Sequence, residues 1–590
     1  MKTRLQFTIF QPLLIISLLF VLVYGNLFAQ TFTKITSGDI VSGSSWSNGW
    51  GDYDNDGDLD LFANLPDTSH LYNNNGDGSF TRINQGTLAT EGFGGGITWG
   101  DYDNDGYLDL FTASGVTTFG GGGDSTALLF HNSGDGTFTK IIFADTSDFA
   151  GASWGDYDND GDLDLFVASG GASPTPGVDN FLYRNEGNGN FSRITTGEIV
   201  NDGGNSINPN WVDYDNDDDL DLFVCNGNFQ NNFLYSNNGD GSFTKITTGD
   251  IVNDGGTSLG SSWGDFDNDG DLDLFVANLF AEVNFLYQND GSPAYTFTKI
   301  TVGDIVNDTS SSIGSTWGDF DNDGDLDLFV ANEAFQNNDL YSNNGDGTFT
   351  KITSGSIVKD TEWSLGTSSA DYDNDGDLDI FVSNVAGNNS LYSNNGNANS
   401  WININCVGTV SNRSAIGAKV RVKANIFGND VWQLKEISGR TGYATNSLNA
   451  EFGLGDATII DSLKIEWPLG IIETYTDIAV DQFITAIENG GITGIDEETF
   501  NFPHQFELSQ NYPNPFNPST NIKYRVPETG FVKLSIYSVL GEEVAVLVDG
   551  LVQAGFYEVT FDASDLPSGT YIYRLQNGNT VQAKKMLMMK

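Results

Sequence analysis

Four short hydrophobic runs recur in the same order along the first two thirds of the chain. A Phe-Thr-Lys-Ile-like run appears at Phe32 to Ile35, Phe80 to Ile83, Phe138 to Ile141, Phe191 to Ile194, Phe243 to Ile246, Phe297 to Ile300 and Phe349 to Ile352. Each unit continues with a segment usually ending in Trp, then an Asp-Leu-Phe-Val-Ala-like run, then a Leu-Tyr run that closes on Asn and Gly. These runs are too short for helices and are bounded by Gly, Asn and Asp, so they predict strands joined by tight turns. In Leu234 to Phe243, Asn and Gly provide the positive φ angles of a hairpin, which pairs each Leu-Tyr strand with the following Phe-Thr-Lys-Ile strand.

Four antiparallel strands repeated at intervals of 49 to 57 residues predict the blades of a propeller. The seventh Leu-Tyr run, Leu391-Tyr392, has no Phe-Thr-Lys-Ile run after it, and the first such run, at Phe32, has no Leu-Tyr before it. Phe32 to Ile35 is therefore expected to complete the last blade and remove an exposed edge, with Trp401 to Cys406 as the competing partner.

Between the second and third runs of every unit lies an acidic loop, first met in Trp50 to Phe62 as WGDYDNDGDLDLF. Two carboxylates about 4 Å apart repel by roughly 4 kcal/mol at an effective dielectric near 20, so five in one compact loop call for a cation among them. Asp occupies positions 1, 3, 5 and 9 in all seven loops. These are Asp52, Asp54, Asp56 and Asp60; Asp101, Asp103, Asp105 and Asp109; Asp156, Asp158, Asp160 and Asp164; Asp213, Asp215, Asp217 and Asp221; Asp265, Asp267, Asp269 and Asp273; Asp319, Asp321, Asp323 and Asp327; and Asp371, Asp373, Asp375 and Asp379. Hard oxygen donors in a flexible loop select Ca²⁺, with the position 7 carbonyl as a further donor. An EF-hand places Glu at position 12, but here that position holds Ala63, Thr112, Val167, Val224, Val276, Val330 and Val382, and strand-like runs replace the flanking helices.

The repeated Asp-x-Asp-x-Asp-Gly-x-x-Asp loop resembles the FG-GAP or VCBS-type repeats of integrin-α-like propellers, over about Phe32 to Asn395. The resemblance implies metal at positions 1, 3, 5 and 9, about seven Ca²⁺ ions acting as structural staples. Loop four departs with Asp218 where Gly belongs, and loop seven has Ser369 where the others have Trp. The six Trp residues, Trp50, Trp99, Trp154, Trp211, Trp263 and Trp317, are expected in the blade cores. In a meander the Asp loops and Asn-Gly hairpins share one face. Phe119, Phe229, Phe280 and Phe335 fall on the other, where they are candidates for stacking on a sugar or packing on a peptide.

After Asn399 the composition changes. Ser411 to Val420, Gly439-Arg440-Thr441-Gly442-Tyr443, Phe452 to Gly455 and Leu463 to Pro468 resemble the ASPIC and UnbV domain, and their alternating runs predict a small β-rich module. Phe506 to Pro518, Leu540-Gly541, Ser568 to Tyr571 and Lys584-Lys585 resemble the C-terminal sorting domain of type IX secretion cargo, which implies export across an outer membrane and contact with that secretion machinery. At the other end, Lys2 and Arg4 precede an apolar run from Leu13 to Tyr24, short for a membrane span and typical of a secretory signal cut after Ala29.

The expected organisation is all-β: a signal peptide over 1–29, a seven-bladed propeller over 30–398, an ASPIC/UnbV-like domain over 399–488, a linker over 489–503 and a sorting domain, a β-sandwich, over 504–590, with no stable membrane span after signal removal. A net charge of −55 argues against nucleic acid, whose binding needs basic patches. Cys225 and Cys406 are too few for a disulfide scaffold. His70, His131 and His504 are scattered, and no nucleophile-base pair or zinc spacing accompanies them. The expected role is a secreted or cell-surface module that binds a glycan or a protein and is not an enzyme. The alternative is a polysaccharide lyase or hydrolase on a propeller scaffold.

Overall fold

The computed structural model describes residues 30–589 except 65–68, 85, 89–93, 115–125, 148, 171–177, 188, 441–442, 495–506, 509–510, 512–513, 527–529, 540–541, 553–554, 565 and 578–579. The expected signal segment and Phe119 lie outside the described residues.

Each repeat folds as one four-stranded antiparallel sheet. Blade one comprises Ser47–Gly51, Asp60–Asn64, His70–Asn74 and Phe80–Ile83, in that order from the inside outward, and five further sheets repeat the pattern. The seventh combines Ser364–Ala370, Asp379–Asn384 and Ser390–Asn394 with the strand Phe32–Ile35 from the other end of the propeller. Its register places Phe32 opposite Asn394 and Ile35 opposite Leu391, the pairing expected from the two orphan runs. Ser400–Val407 instead pairs with Ala450–Gly455 and Gln482–Ile487. The innermost strands touch in succession, and Ser364–Ala370 returns to Ser47–Gly51, so the sheets form a closed ring.

Every second residue of the Asp-Leu-Phe-Val-Ala strands faces the neighbouring blade, where aromatic rings fill the gap. Trp50 stacks on Tyr372 of the preceding blade at 6.2 Å, Trp154 on Tyr102 at 6.3 Å and Trp211 on Tyr157 at 6.1 Å, so these Trp residues are core. The Leu-Tyr-x-Asn signature has a second role beyond its turn. In all seven blades its Asn is buried and donates from Nδ2 to the carbonyl of position 2 in the preceding Asp loop, as in Asn74 to Tyr372, Asn132 to Tyr53 and Asn394 to Phe320, at 2.7–2.8 Å. A ring of buried hydrogen bonds thereby links each blade to the one before it. Deleting residues 30–36 is expected to unpair Ser390–Asn394 and remove the Phe32–Phe320 contact at 6.0 Å. Hydrogen exchange should then show loss of protection confined first to blade seven, and unchanged protection there would refute the closure.

The second domain has one sheet of Ala450–Gly455, Ser400–Val407, Gln482–Ile487 and Gly491–Gly494, and another built on Lys419–Ile426, Asn429–Glu436 and Ile459–Glu466. Gly491–Gly494 is a strand paired to Gln482–Ile487 where the sequence suggested the start of a linker, because Ile492 packs on this domain's core. The remainder of that segment lies outside the described residues. At the C-terminus, the sheets Glu507–Leu508, Ser519–Val526, Gly555–Asp562 and Gly530–Ser538, Glu543–Val552, Gly569–Asn577, Thr580–Met588 enclose a core that includes Ile522, Tyr524, Leu534, Tyr573 and Met586, a β-sandwich. Among the described residues no helix is long and apolar enough to cross a membrane.

The second domain sits on the Asp-loop face of the ring. Ser414 Oγ accepts from Asp101 N at 2.9 Å, Arg413 N donates to Asn104 Oδ1 at 2.8 Å, Glu436 Oε2 accepts from Asp213 N at 3.1 Å, and Arg421 Nη1 donates to the Gly270 carbonyl at 3.1 Å. Its Gly439, Arg440 and Tyr443 to Ser447 enter the centre of the ring. Thr445 N donates to Asn48 O at 3.1 Å, Asn446 Oδ1 accepts from Ser369 N at 3.0 Å, and Tyr443 packs with Ile207, Leu259, Ile313 and Leu365 of four inner strands. Arg440, 2% exposed, donates to Asn208 Oδ1 at 2.6 Å and to the carbonyls of Ala152 and Ile97 at 3.1 and 3.3 Å. A Cβ on Gly96 would lie 2.5 Å from its guanidinium, which explains a glycine in that inner strand.

Candidate metal centres

The backbone of each Asp loop is wound by the same hydrogen bonds in all seven repeats. Position 1 accepts the N–H groups of positions 5 and 6, as Asp52 does from Asp56 at 3.1 Å and Gly57 at 3.0 Å. Position 9 accepts from the N–H of position 2 and from the Asn of the Leu-Tyr-x-Asn strand, as Asp60 does from Tyr53 at 3.2 Å and Asn74 at 2.8 Å. Position 5 accepts from the N–H of position 7. The chain thus curls around its own carboxylates and turns their remaining lone pairs inward.

Ligand atoms of Asp101, Asp103 and Asp109 lie within 4.8 Å of one another, as do those of Asp156, Asp158 and Asp164, of Asp213, Asp215 and Asp221, and of Asp52, Asp54 and Asp56. Position 3 differs from the others. In five loops its Oδ1, on Asp103, Asp158, Asp215, Asp267 and Asp321, is buried and has no hydrogen-bond partner. Buried unpaired carboxylate oxygens are costly, and the same atom orphaned in loop after loop fits a cation that all of them would face. The Asp donors are all oxygen, which suits Ca²⁺.

Electrostatics agree with the geometry. Burial first, then the charges of Asp56 and Asp54, pushes Asp52 up to about 7; burial, then Asp54 and Asp52, pushes Asp60 up to about 9; and burial, then Asp269 and Asp267, pushes Asp265 up to about 8. Asp164, Asp221, Asp273, Asp371 and Asp379 are raised well above the ordinary range for the same reasons. Without a cation these groups resist ionisation.

Position 4 is an Asn in every loop. It takes the left-handed backbone, with φ between 54 and 58°, and sends its side chain to the next blade's loop. Asn159 donates to Asp219 at 2.6 Å, Asn216 to Asp271 at 2.7 Å, Asn268 to Asp325 at 2.9 Å and Asn374 to Asp58 at 2.8 Å, while Asn55 reaches the Gly106 carbonyl at 2.8 Å. Asn104 and Asn322 complete the circuit to Asp162 and Asp377. The signal was present as an Asn at one position seven times over, but its partner lies 51–60 residues away in six loops and 316 away where Asn374 closes the ring. Loop four keeps the shared pattern: Asp218 takes the left-handed turn at φ 70° in place of glycine, and buried Lys419 of the second domain pairs with Asp213. Cys225 and Cys406 are free, buried thiols pushed up to about 12 by burial.

The ring of sheets, each carrying an acidic loop at the same corner, defines a β-propeller of acidic-loop repeats. The chain belongs to the FG-GAP-like repeat family, whose model matches residues 52–112, 116–167, 157–224, 219–276, 265–330 and 319–382, together more than half of it. Residues 408–493 match the ASPIC and UnbV domain, and residues 510–589 match the secretion system C-terminal sorting domain. That tail directs type IX secretion to the cell surface or the extracellular space and implies contact with the secretion machinery. Cartilage acidic protein 1 of Homo sapiens is 26% identical over 309 residues, 50% of this chain and 45% of that protein. Its Xenopus tropicalis counterpart is 27% identical over 325 residues, 47% and 48%. The chain spans about half the length of these relatives. Among solved structures, an Agrocybe aegerita lectin described as recognising non-reducing terminal N-acetylglucosamine gives a TM-score of 0.39 at 17% identity, covering 59% of this chain and 93% of that one. The V. cholerae biofilm matrix protein gives 0.27 at 11%, covering 95% and 83%.

Proposed function

We propose that the protein is a calcium-stapled binding module, secreted or held at the cell surface, that captures a glycan or protein ligand on the face opposite its Asp loops. Positions 1, 3, 5 and 9 of the seven loops would hold the ions, which supply positive charge to buried carboxylates that, apart from Asp213 beside Lys419 and Asp103 and Asp109 beside His131, have no cationic side chain in ion-pairing contact among the described residues. The Asp-loop face and the centre of the ring are occupied by the second domain, which leaves the opposite face for a partner.

One observation carries the binding role. Phe229, Phe280 and Phe335, on three consecutive blades, are 69, 60 and 54% exposed and all have left-handed backbone, with φ of 60, 61 and 59°. A bulky residue in that region costs on the order of 1 kcal/mol or more; Phe335 meets the edge of Trp363 at 5.7 Å, yet all three rings stay more than half exposed. Strain of this kind, repeated at three blade tips, is the mark of a surface kept for a partner, and aromatic faces suit both sugar rings and apolar side chains. Combined Phe229→Ala, Phe280→Ala and Phe335→Ala replacement is expected to abolish binding on a glycan array or to a captured protein while leaving the melting temperature unchanged or slightly raised. A ligand retained by the triple variant would refute this face. Cleavage of a polysaccharide by the intact protein would favour the enzymatic alternative.

A further inference from the structure

One imidazole lies among the Asp loops. The third residue of the Leu-Tyr-x-Asn signature is Asn73, Arg184, Ser236, Gln288, Ser342 and Ser393 in blades one and three to seven, but His131 in blade two. This position stands over its own loop. Asn73 Nδ2 is 3.3 Å from both Asp54 Oδ2 and Asp60 Oδ1, and Gln288 Nε2 is 2.5 Å from Asp267 Oδ2.

In blade two the half-buried His131 turns its Nδ1 inward, 3.3 Å from Asp103 Oδ2 and 3.3 Å from Asp109 Oδ1, within ion-pairing distance of both carboxylates. Asp103 Oδ1 is buried and unpartnered. The ring is held edge-on by Tyr102 at 6.1 Å. Ligand atoms of Asp103, Asp105 and His131 come within 4.8 Å of one another and form a group that shares Asp103 with the Asp101, Asp103 and Asp109 group. Loop two has also lost an acid. Position 7 is Tyr107, where the other six loops have Asp58, Asp162, Asp219, Asp271, Asp325 and Asp377.

We propose that loop two holds a first-row transition-metal ion, bound by His131 Nδ1 together with the carboxylates of Asp103 and Asp105, while its sister loops take Ca²⁺. Calcium prefers oxygen donors throughout, whereas an imidazole beside carboxylates favours a borderline ion such as Zn²⁺ or Mn²⁺. Placing an imidazole where the other blades carry an amide, a hydroxyl or Arg184 adds a nitrogen to the oxygen donors of loop two, and Tyr107 at position 7 lowers the negative charge around it. The inference rests on the reading of the Asp loops as metal sites.

The test uses the chain from residue 30 onward, stripped with chelator and returned to about 1 mM Ca²⁺, the range of extracellular sites, with Zn²⁺ or Mn²⁺ added. Elemental analysis is expected to find one zinc or manganese retained per chain, and pulsed EPR of the manganese form to show coupling to an imidazole nitrogen. His131→Ser and His131→Asn install residues that other blades carry at this position. Each is expected to keep the calcium content and melting temperature and to lose about tenfold or more in zinc affinity, the scale on which ligand-shell changes act. Equal zinc retention by the parent and both variants, or no nitrogen coupling in the parent, would overturn the assignment. Calcium bound without zinc overturns this inference alone, whereas a chain that takes up neither metal overturns the reading of the loops as well. If a variant misfolds, the nitrogen coupling of the parent decides.

Discussion

Stripping the purified protein with EDTA at pH 8 is expected to lower its melting temperature by on the order of 10 °C or more. An extracellular calcium site at ten times its Kd contributes about 1.4 kcal/mol, and seven such sites approach the ~5–15 kcal/mol that separates folded from unfolded domains. For a propeller of this size a loss on that scale corresponds to a shift of roughly ten degrees. The pH dependence gives a second readout. In the metal-free protein Asp52, Asp265 and Asp60 have folded pKa values of about 7, 8 and 9, against 3.8 for an ordinary Asp. An acid whose pKa is raised by folding stabilises the fold below its unfolded pKa and loses that contribution as pH rises through the folded value, because the native state keeps a proton that the unfolded chain has released. In EDTA the melting temperature should therefore fall steadily between pH 4 and pH 9. In excess calcium that slope should vanish or reverse over the same range, since the metal requires the carboxylates ionised. Coincident melting curves with and without chelator at pH 8 would remove the metals from the account of stability.

Arg440→Ala is expected to cost about 3 kcal/mol and to loosen the second domain from the ring. The guanidinium is buried in the centre of the propeller and reaches three blades through Ala152, Ile97 and Asn208. Burial pulls its pKa down to about 10, so it stays charged at neutral pH and its hydrogen bonds are charge-assisted. Truncation removes the charged donor to Asn208 and Ala152 and leaves Ile97 O with Thr445 Oγ1 at 3.1 Å, in a space that the rest of the segment keeps closed. Calorimetry should show the second domain unfolding at a lower temperature than in the parent, and the backbone around Arg440 should become accessible to protease. Arg440→Lys should recover only part of the loss, because a point-like ammonium does not match a planar fork directed at three acceptors. A change under about 0.5 kcal/mol, the scale of ordinary surface substitutions, would show that the segment fills the channel without holding it.

The strands, the Asp loops and the closure by Phe32 to Ile35 were legible in the sequence. Alternation, turn chemistry and loop spacing are short-range properties repeated seven times, and an unpaired run at each end of an array has one partner that removes both edges. The Trp residues before the loops were legible as core because large aromatics ahead of an acidic turn have nowhere drier to go. The strand at Gly491–Gly494 was not, since Gly-Ile-Thr-Gly carries no pattern of its own and pairs only because Gln482–Ile487 offers an edge. The Asn circuit at position 4 was visible as repetition but not as contact. Its donors and acceptors are on different blades, and nothing local in Asn159 points to Asp219.

The chain's own order of residues was enough to set the blades, their acidic corners and the chemistry of the ion those corners suit, because each depends on neighbours a few bonds apart. Tertiary structure alone decided that the second domain would cover the Asp-loop face, that Arg440 would lie at the centre of the ring, that His131 would meet Asp103 and Asp109, and that Phe229, Phe280 and Phe335 would be exposed with left-handed backbone. Those outcomes join residues tens to hundreds of positions apart, and they follow from which surfaces can be buried together once the ring has closed.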